Sequence, residues 1–248
     1  MAMPRCPSVI WACCRPRRSP TSARVSTVSP TTSRPPARPN CHRRWSSPPR
    51  PRRRSRPPPP PDAAYGFIYP ANLDTLRALG AELAFFSPLA GETLPAACDA
   101  VWLPGGYPEL HGEALAANAA FWADLRAHVA AGRPVLAECG GLMSLLDTIV
   151  DRAGVAHAFG GLLPGRAVMQ QRLAALGMQA VELPQGRMSG HTFHYSKTET
   201  PLAPWLHAHG TDGSAGEAVY RSGSITASYV HFWFPSNPVA VAALFGAA

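Results

Sequence analysis

Leu136-Ala137-Glu138-Cys139-Gly140-Gly141-Leu142 is the stretch whose reading decides the fold. Just ahead of it, Pro134–Ala137 forms the start of a short apolar run of the kind that makes a buried strand. One cysteine follows, two glycines permit a tight turn, and Leu142–Val150 reads as the next helix. Strand, nucleophile, turn and helix in that order make a nucleophile elbow in cysteine form. A thiol at a helix N-terminus feels exposed N–H groups and the positive end of the dipole, which is expected to lower the Cys139 pKa. The Gly140 N–H would be left to point at an oxyanion. The competing reading is a cysteine that merely packs at a strand end, and this stretch alone does not separate the two.

Working outward, the chain alternates strands and helices from Asp62 onward. Asn72 is placed to cap a helix with Leu73, Leu76 and Leu79 on one face and Gly80 at its end. Ala81–Phe86 and Asp99–Leu103 read as strands, the second stopped by Pro104-Gly105-Gly106. A helix is expected over roughly Glu113–Ala131, with Trp122, Leu125 and Val129 at helical spacing and Gly132 at its end. Asn237-Pro238 opens a short closing helix over Val239–Phe245. The order predicts an α/β domain: an open, mostly parallel sheet with helices on both faces.

Residues 1–61 are different in kind. They hold 14 of the 23 basic residues, 16 of the 28 prolines and no acid, and they end in Pro57–Pro61. The remaining stretch, 62–248, carries nine basic against 15 acidic residues, so the formal charge of +8 belongs to the tail. The body is mildly acidic and should not attract nucleic acid by charge. Proline at this density blocks an amphipathic targeting helix and predicts a disordered segment without function. A transit peptide or a basic nucleic-acid-binding arm are the alternatives. Four of the six cysteines lie in the tail without metal-ligand spacing, and only Cys98 and Cys139 lie in the body. That is too few for a disulfide framework and points to a reducing, cytoplasmic setting. No apolar run reaches the ~18 residues of a membrane span.

A thiol nucleophile needs a base. His231 lies in Ser228-Tyr229-Val230-His231-Phe232, where the alternation suggests a strand end, and His191 and His194 lie in Gly190-His191-Thr192-Phe193-His194-Tyr195-Ser196. Composition and spacing do not say which of them meets Cys139.

Four stretches in order, Leu103–Leu110 (LPGGYPEL), Ala137–Met143 (AECGGLM), Gly190–Ser196 (GHTFHYS) and Ser228–His231 (SYVH), carry a resemblance, with Tyr69–Asp74 and Phe86–Leu89 in support. From about Asp62 to Ala248 the chain resembles the class I glutamine amidotransferase domain of the cobyrinic (or hydrogenobyrinic) acid a,c-diamide synthases of cobalamin biosynthesis. The resemblance implies that Cys139 attacks the side-chain amide of glutamine to form a thioester. It implies that His231 activates the thiol and protonates the ammonia, and that N–H groups around Gly105, Gly106 and Gly140 hold the oxyanion. His191, His194 and Tyr195 match a stretch expected near the domain interface or the acceptor. Class I amidotransferases often place a Glu two residues after the histidine. Trp233 stands there, so a Cys–His dyad is expected.

The full-length family enzyme would amidate two carboxylates of a corrin, cobyrinate or hydrogenobyrinate, with ATP and Mg²⁺ in a second half. A phosphate loop needs a lysine in its pattern, and the single lysine, Lys197, fits none, so the ATP half is expected to be absent. No cofactor is expected in this chain and no metal site. In the family a hydrophobic strand precedes the stretch seen here as Asp62-Ala63-Ala64. Polyproline cannot supply its ladder donors, so the first strand is expected to be missing. A wrong-frame reading of GC-rich DNA would account for residues 1–61. The rival functions are a related amidotransferase such as a cobyric acid synthase and, from another class, a non-catalytic basic interaction protein.

Overall fold

The computed structural model describes residues 12–13, 63–95 and 98–246. The reading of residues 1–61 as disordered therefore lies outside the described residues, with one exception. Ala12–Cys13 (β1) pairs antiparallel with Trp102 and Val101 at one end of the main sheet.

Three parallel strands form the part of the sheet nearest β1: Val101–Leu103 (β2), Val135–Glu138 (β3) and, from far along the chain, Ile225–Ser228 (β12). All eleven residues are buried, as strands covered on both faces must be. Val101, Leu103, Val135 and Ala137 face one core with Phe121, Trp122 and Leu125 of the helix Ala119–Ala130 (α3). Trp102 and Leu136 face the other, with Leu73 and Leu76 of Pro70–Ala78 (α1) and Ala240 and Val241 of Pro238–Leu244 (α5). Helices thus cover both faces of these strands, as the α/β reading requires.

Beyond β12 the sheet is antiparallel. It continues through Ala215–Ser222 (β11), Leu206–Gly210 (β10), Ala175–Leu183 (β7) and Gly186–His194 (β8) to His231–Phe232 (β13). The result is a mixed sheet whose parallel portion is three strands wide. Crossovers between parallel neighbours usually run through an α-helix, and between 146 and 237 the described residues form no α-helix. It turns back on itself instead, through two-residue hairpin loops at Pro184-Gln185 and Gly223-Ser224. A second sheet joins Ala156–Ala158 (β5), Leu146–Val150 (β4), Leu163–Met169 (β6) and Ser196–Glu199 (β9), in that order.

Several local expectations need correction. Asn72 does not cap α1, which begins at Pro70; it is buried within the first turn. Leu79 lies outside that helix and is exposed, whereas Gly80, at φ +88°, does end it. Ala81–Phe86 is not a strand; only Ala84 holds a bridge position. The single helix over 113–131 is two, Gly112–Ala117 (α2) and α3. Asn118 divides them because its side chain accepts the Phe121 N–H and donates to the carbonyls of Pro88 and Glu92. The helix after Cys139 covers only Gly140–Leu145 (α4), and Leu146–Val150 is a strand. Thr148, Ile149 and Val150, β-branched in succession, favour that outcome. The closing helix forms as expected, with the Asn237 side chain accepting the Ala240 N–H.

Candidate active site

Each of the three parallel strands ends in a piece of the site. β2 runs into Pro104-Gly105-Gly106, β3 into Cys139, and β12, through Tyr229-Val230, into His231. Carboxyl ends of parallel strands are where open α/β sheets place ligands.

Cys139 is the one described non-glycine residue with positive φ, at φ 47° and ψ −107°. Its N–H donates to Ser228 O at 2.8 Å and its carbonyl accepts the Met143 N–H at 3.0 Å. The peptide is thus held from both sides in a conformation costing of order 1–3 kcal/mol. The glycines around it are demanded by closeness. A Cβ on Gly140 would lie 2.7 Å from Gly106 O and 2.9 Å from Gly106 N, and one on Gly105 would lie 2.8 Å from His231 Nδ1 and 3.3 Å from Cys139 Cβ. The four positions singled out from sequence, Gly105, Gly106, Cys139 and Gly140, therefore meet at one point with His231.

Cys139 opens onto a cavity of about 380 Å³. Its wall includes Gly106, Glu109, Arg152, Phe193, His194 and Tyr195. Burial holds the Glu109 carboxyl above its usual range, opposed by its backbone hydrogen bond and the Arg152 charge. Arg152 stacks over the Tyr195 ring at 4.9 Å. Glu109 and Arg152 are not legible as site residues, because they lie far apart in sequence and only the fold, through Pro108–His111 and the loop after Val150, brings them to one cavity.

His231 is buried, and its Nδ1 has no hydrogen-bond partner among the described residues. Its ring packs on Phe67 at 4.2 Å and on His191 at 5.0 Å. His191 lies opposite it in the β8–β13 pairing, and its Nδ1 meets the Tyr69 hydroxyl at 2.8 Å. Trp233, where a carboxylate would complete a triad, is partly exposed and packs edge-on to Tyr69 at 5.2 Å. His194 is locked differently. Nδ1 contacts Ser196 O and Nε2 contacts Glu217 Oε1, both at 2.9 Å, and the ring stacks on Tyr229 at 3.8 Å. Of the three residues expected near an interface or acceptor, His194 and Tyr195 line the Cys139 cavity and His191 backs His231.

The electrostatics correct one expectation. Burial pushes the Cys139 thiol up to about 12, outweighing the Gly140 N–H that lowers it, with Glu109, Glu138 and Glu217 adding to the rise. α4 is six residues long, too short for its dipole to offset full desolvation. Burial, with the neighbouring His191 and His194, brings His231 down to about 3. Both shifts favour the neutral thiol and the neutral imidazole over a thiolate–imidazolium pair.

Among the described residues no group of three or more His, Cys, Asp or Glu could hold a metal ion. Lys197 lies exposed on β9. No helix among them is long and apolar enough to cross a membrane.

Comparison with known proteins agrees with this geometry. The hydrogenobyrinate a,c-diamide synthase of Stutzerimonas stutzeri (strain A1501) is 57% identical over 184 residues, covering 74% of this chain and 43% of that protein. That of Pseudomonas aeruginosa is 55% identical over 184 residues, covering 74% and 42%. The cobyrinate a,c-diamide synthase of Herminiimonas arsenicoxydans is 48% identical over 186 residues, covering 74% and 42%. The chain thus spans less than half the length of these relatives. A crystal structure of a glutamine amidotransferase superposes with a TM-score of 0.52 at 20% identity, covering 71% of this chain and 93% of that one, which supports the fold. Residues 61–239 match the CobB/CobQ-like glutamine amidotransferase domain, and the chain belongs to that family.

Proposed function

We propose that this chain is the glutaminase part of a corrin a,c-diamide synthase, releasing ammonia from glutamine at Cys139. One observation carries the reading: a cysteine held at positive φ at a strand end, opening onto a cavity of about 380 Å³ beside a buried histidine. The Cys139 sulfur attacks the side-chain amide carbon of glutamine while the thiol proton passes to His231. Because burial favours the neutral form of both groups, proton transfer on this reading accompanies S–C bond formation rather than preceding it. The N–H groups of Gly106 and Gly140 hold the resulting oxyanion, with Gly105 leaving room for the imidazole. The tetrahedral adduct collapses to a γ-glutamyl thioester, and ammonia departs with the proton from His231. Water, deprotonated by His231, then cleaves the thioester to glutamate and restores the thiol. Glu109 and Arg152 supply opposite charges on the cavity wall, complementary to the α-ammonium and α-carboxylate of glutamine.

The ammonia would be used to amidate carboxylates of a hydrogenobyrinate- or cobyrinate-type corrin, the acceptors for which the relatives are named. ATP and Mg²⁺ would serve that step in the synthetase part of such an enzyme, and a cytoplasmic setting suits a site that depends on the thiol of Cys139. The test is labelling by 6-diazo-5-oxo-L-norleucine, a glutamine-like alkylator, with the adduct mapped by mass spectrometry. Modification of Cys139 is expected. Modification of Cys98 with Cys139 untouched would refute the reading.

A further inference from the structure

Glu138 precedes the nucleophile, is 1% exposed, and does not line the cavity. Its Oε2 accepts the indole N–H of Trp102 at 3.1 Å, and its Oε1 accepts the backbone N–H of Phe232 at 3.0 Å. Trp102 is on β2, two residues ahead of Pro104-Gly105-Gly106. Phe232 is the residue after His231. One carboxyl group on the strand that delivers Cys139 is therefore tied to the segments that deliver the oxyanion glycines and the base. β13 ends the sheet, with a strand on one side only. On its other side, Glu138 supplies the acceptor that a further strand would have offered.

Asn72 holds the same segment. Its Nδ2 donates to Phe232 O at 2.8 Å and its Oδ1 accepts the Phe234 N–H at 2.9 Å. The N–H and the carbonyl of Phe232 are thus both held by buried side chains, whereas the His231 ring has packing contacts and an unpartnered Nδ1. Burying a carboxyl group is costly, and an apolar side chain would stabilise this place more simply. Its presence calls for a geometric reason.

We infer that Glu138 is a positioning residue of the glutaminase site, holding His231 and the Gly105-Gly106 loop in register with Cys139. The inference rests on the glutaminase reading above. It explains how a dyad without a carboxylate on its histidine keeps its base in place: the strand is fixed one residue beyond the ring. Both partners of Glu138 are donors, so the function needs two acceptor oxygens. Glutamine has one, and its NH₂ group would face either the Trp102 indole or the Phe232 N–H.

The experiment compares the wild-type chain with Glu138→Gln in time courses of 6-diazo-5-oxo-L-norleucine labelling at several reagent concentrations. The maximal labelling rate of Cys139 is expected to fall about 10- to 100-fold, the scale of a misplacement near 1 Å. The half-saturating concentration should stay within about threefold, because Glu138 is not on the cavity wall. Trp102→Phe removes one of the two hydrogen bonds while keeping a ring, and should give a smaller fall with the same split. An unchanged maximal rate in folded Glu138→Gln overturns the inference. So does a rise in half-saturating concentration matching the loss of rate, which would assign Glu138 to cavity shape. If Glu138→Gln fails to fold, a wild-type rate in Trp102→Phe overturns it. A wild-type chain that is folded yet unlabelled at Cys139 overturns the glutaminase reading itself, and the inference with it.

Discussion

Gly105→Ala adds a single methyl group to the most crowded point of the site. The new carbon would lie 2.8 Å from His231 Nδ1 and 3.3 Å from Cys139 Cβ, where ordinary contact begins near 3.4 Å. The imidazole must therefore recede, by roughly 1 Å once its Cε1 contact is also relieved. It has little room to do so, being 3% exposed with Phe67 and His191 stacked upon it. A displacement of that size is expected to slow thioester chemistry about 10²-fold. Overpacking of this kind costs about 1–3 kcal/mol, or roughly 2–12 °C in Tm for a domain of this size. The assay pairs thermal unfolding with the labelling rate of Cys139. A folded Gly105→Ala variant that labels at the wild-type rate would show that the ring does not need its present place, and the arrangement of base and nucleophile would have to be redrawn.

His231→Ala should slow glutaminase turnover or Cys139 labelling by about 10²–10⁴-fold, and His191→Ala and His194→Ala by much less, since only a base in reach of the thiol proton takes it; equal losses in all three would refute the assignment. Stability should also depend on pH through Glu138, whose carboxyl is raised to about 8 by burial against the lowering effect of its Phe232 and Trp102 hydrogen bonds. A raised acid favours the folded state when protonated, so its contribution is full below the unfolded value of about 4.5 and is lost as pH climbs through 8. His231, lowered to about 3, acts in the opposite sense but only below about 6.5; Cys139, raised like Glu138, acts in the same sense as Glu138 but only above about 9. Denaturant melts between pH 7 and 8.5 isolate Glu138: the wild type should lose on the order of 1 kcal/mol or more across that window and Glu138→Gln should not. Parallel pH profiles would refute it.

The elbow was legible because the chemistry and the backbone geometry there are written in neighbouring residues. An apolar run, a cysteine and two glycines specify strand, strained turn and helix locally, and the structure finds Cys139 at positive φ where that pattern ends. Periodicity likewise located α1 and α3, with Trp122 and Leu125 buried as expected. What was not legible depends on distant partners. Asn72 has the look of a cap, but its hydrogen bonds go to Phe232 and Phe234, some 160 residues away. Leu146–Val150 follows a helix with no proline or glycine between them, so the β-branched run Thr148-Ile149-Val150 was the one local hint of a strand, and pairing with β5 and β6 decides it. Glu138 has no role legible in the motif, because nothing nearby in sequence announces that Trp102 and Phe232 will both point donors at it. The thiol's raised pKa escaped for the same reason: local sequence shows a helix N-terminus, whereas desolvation is a property of the whole fold.

The antiparallel half of the sheet has a use that the parallel half could not fill. Three strands ending together set Cys139, Gly105-Gly106 and His231 around one point, but those strands do not wall the cavity beside it. β8 brings Phe193, and with it His194, to the far side of the cavity, and Cys139 Sγ lies 3.9 Å from Phe193 O. The same strand pairs with β13, so it fixes the base and walls the cavity at once. Gly190 makes that pairing possible, because a Cβ there would run into His231 O and Val230 Cγ1. That enclosure has an electrostatic consequence: the strand that walls the cavity also removes the solvent that would stabilise a thiolate, so burial favours the neutral thiol of Cys139.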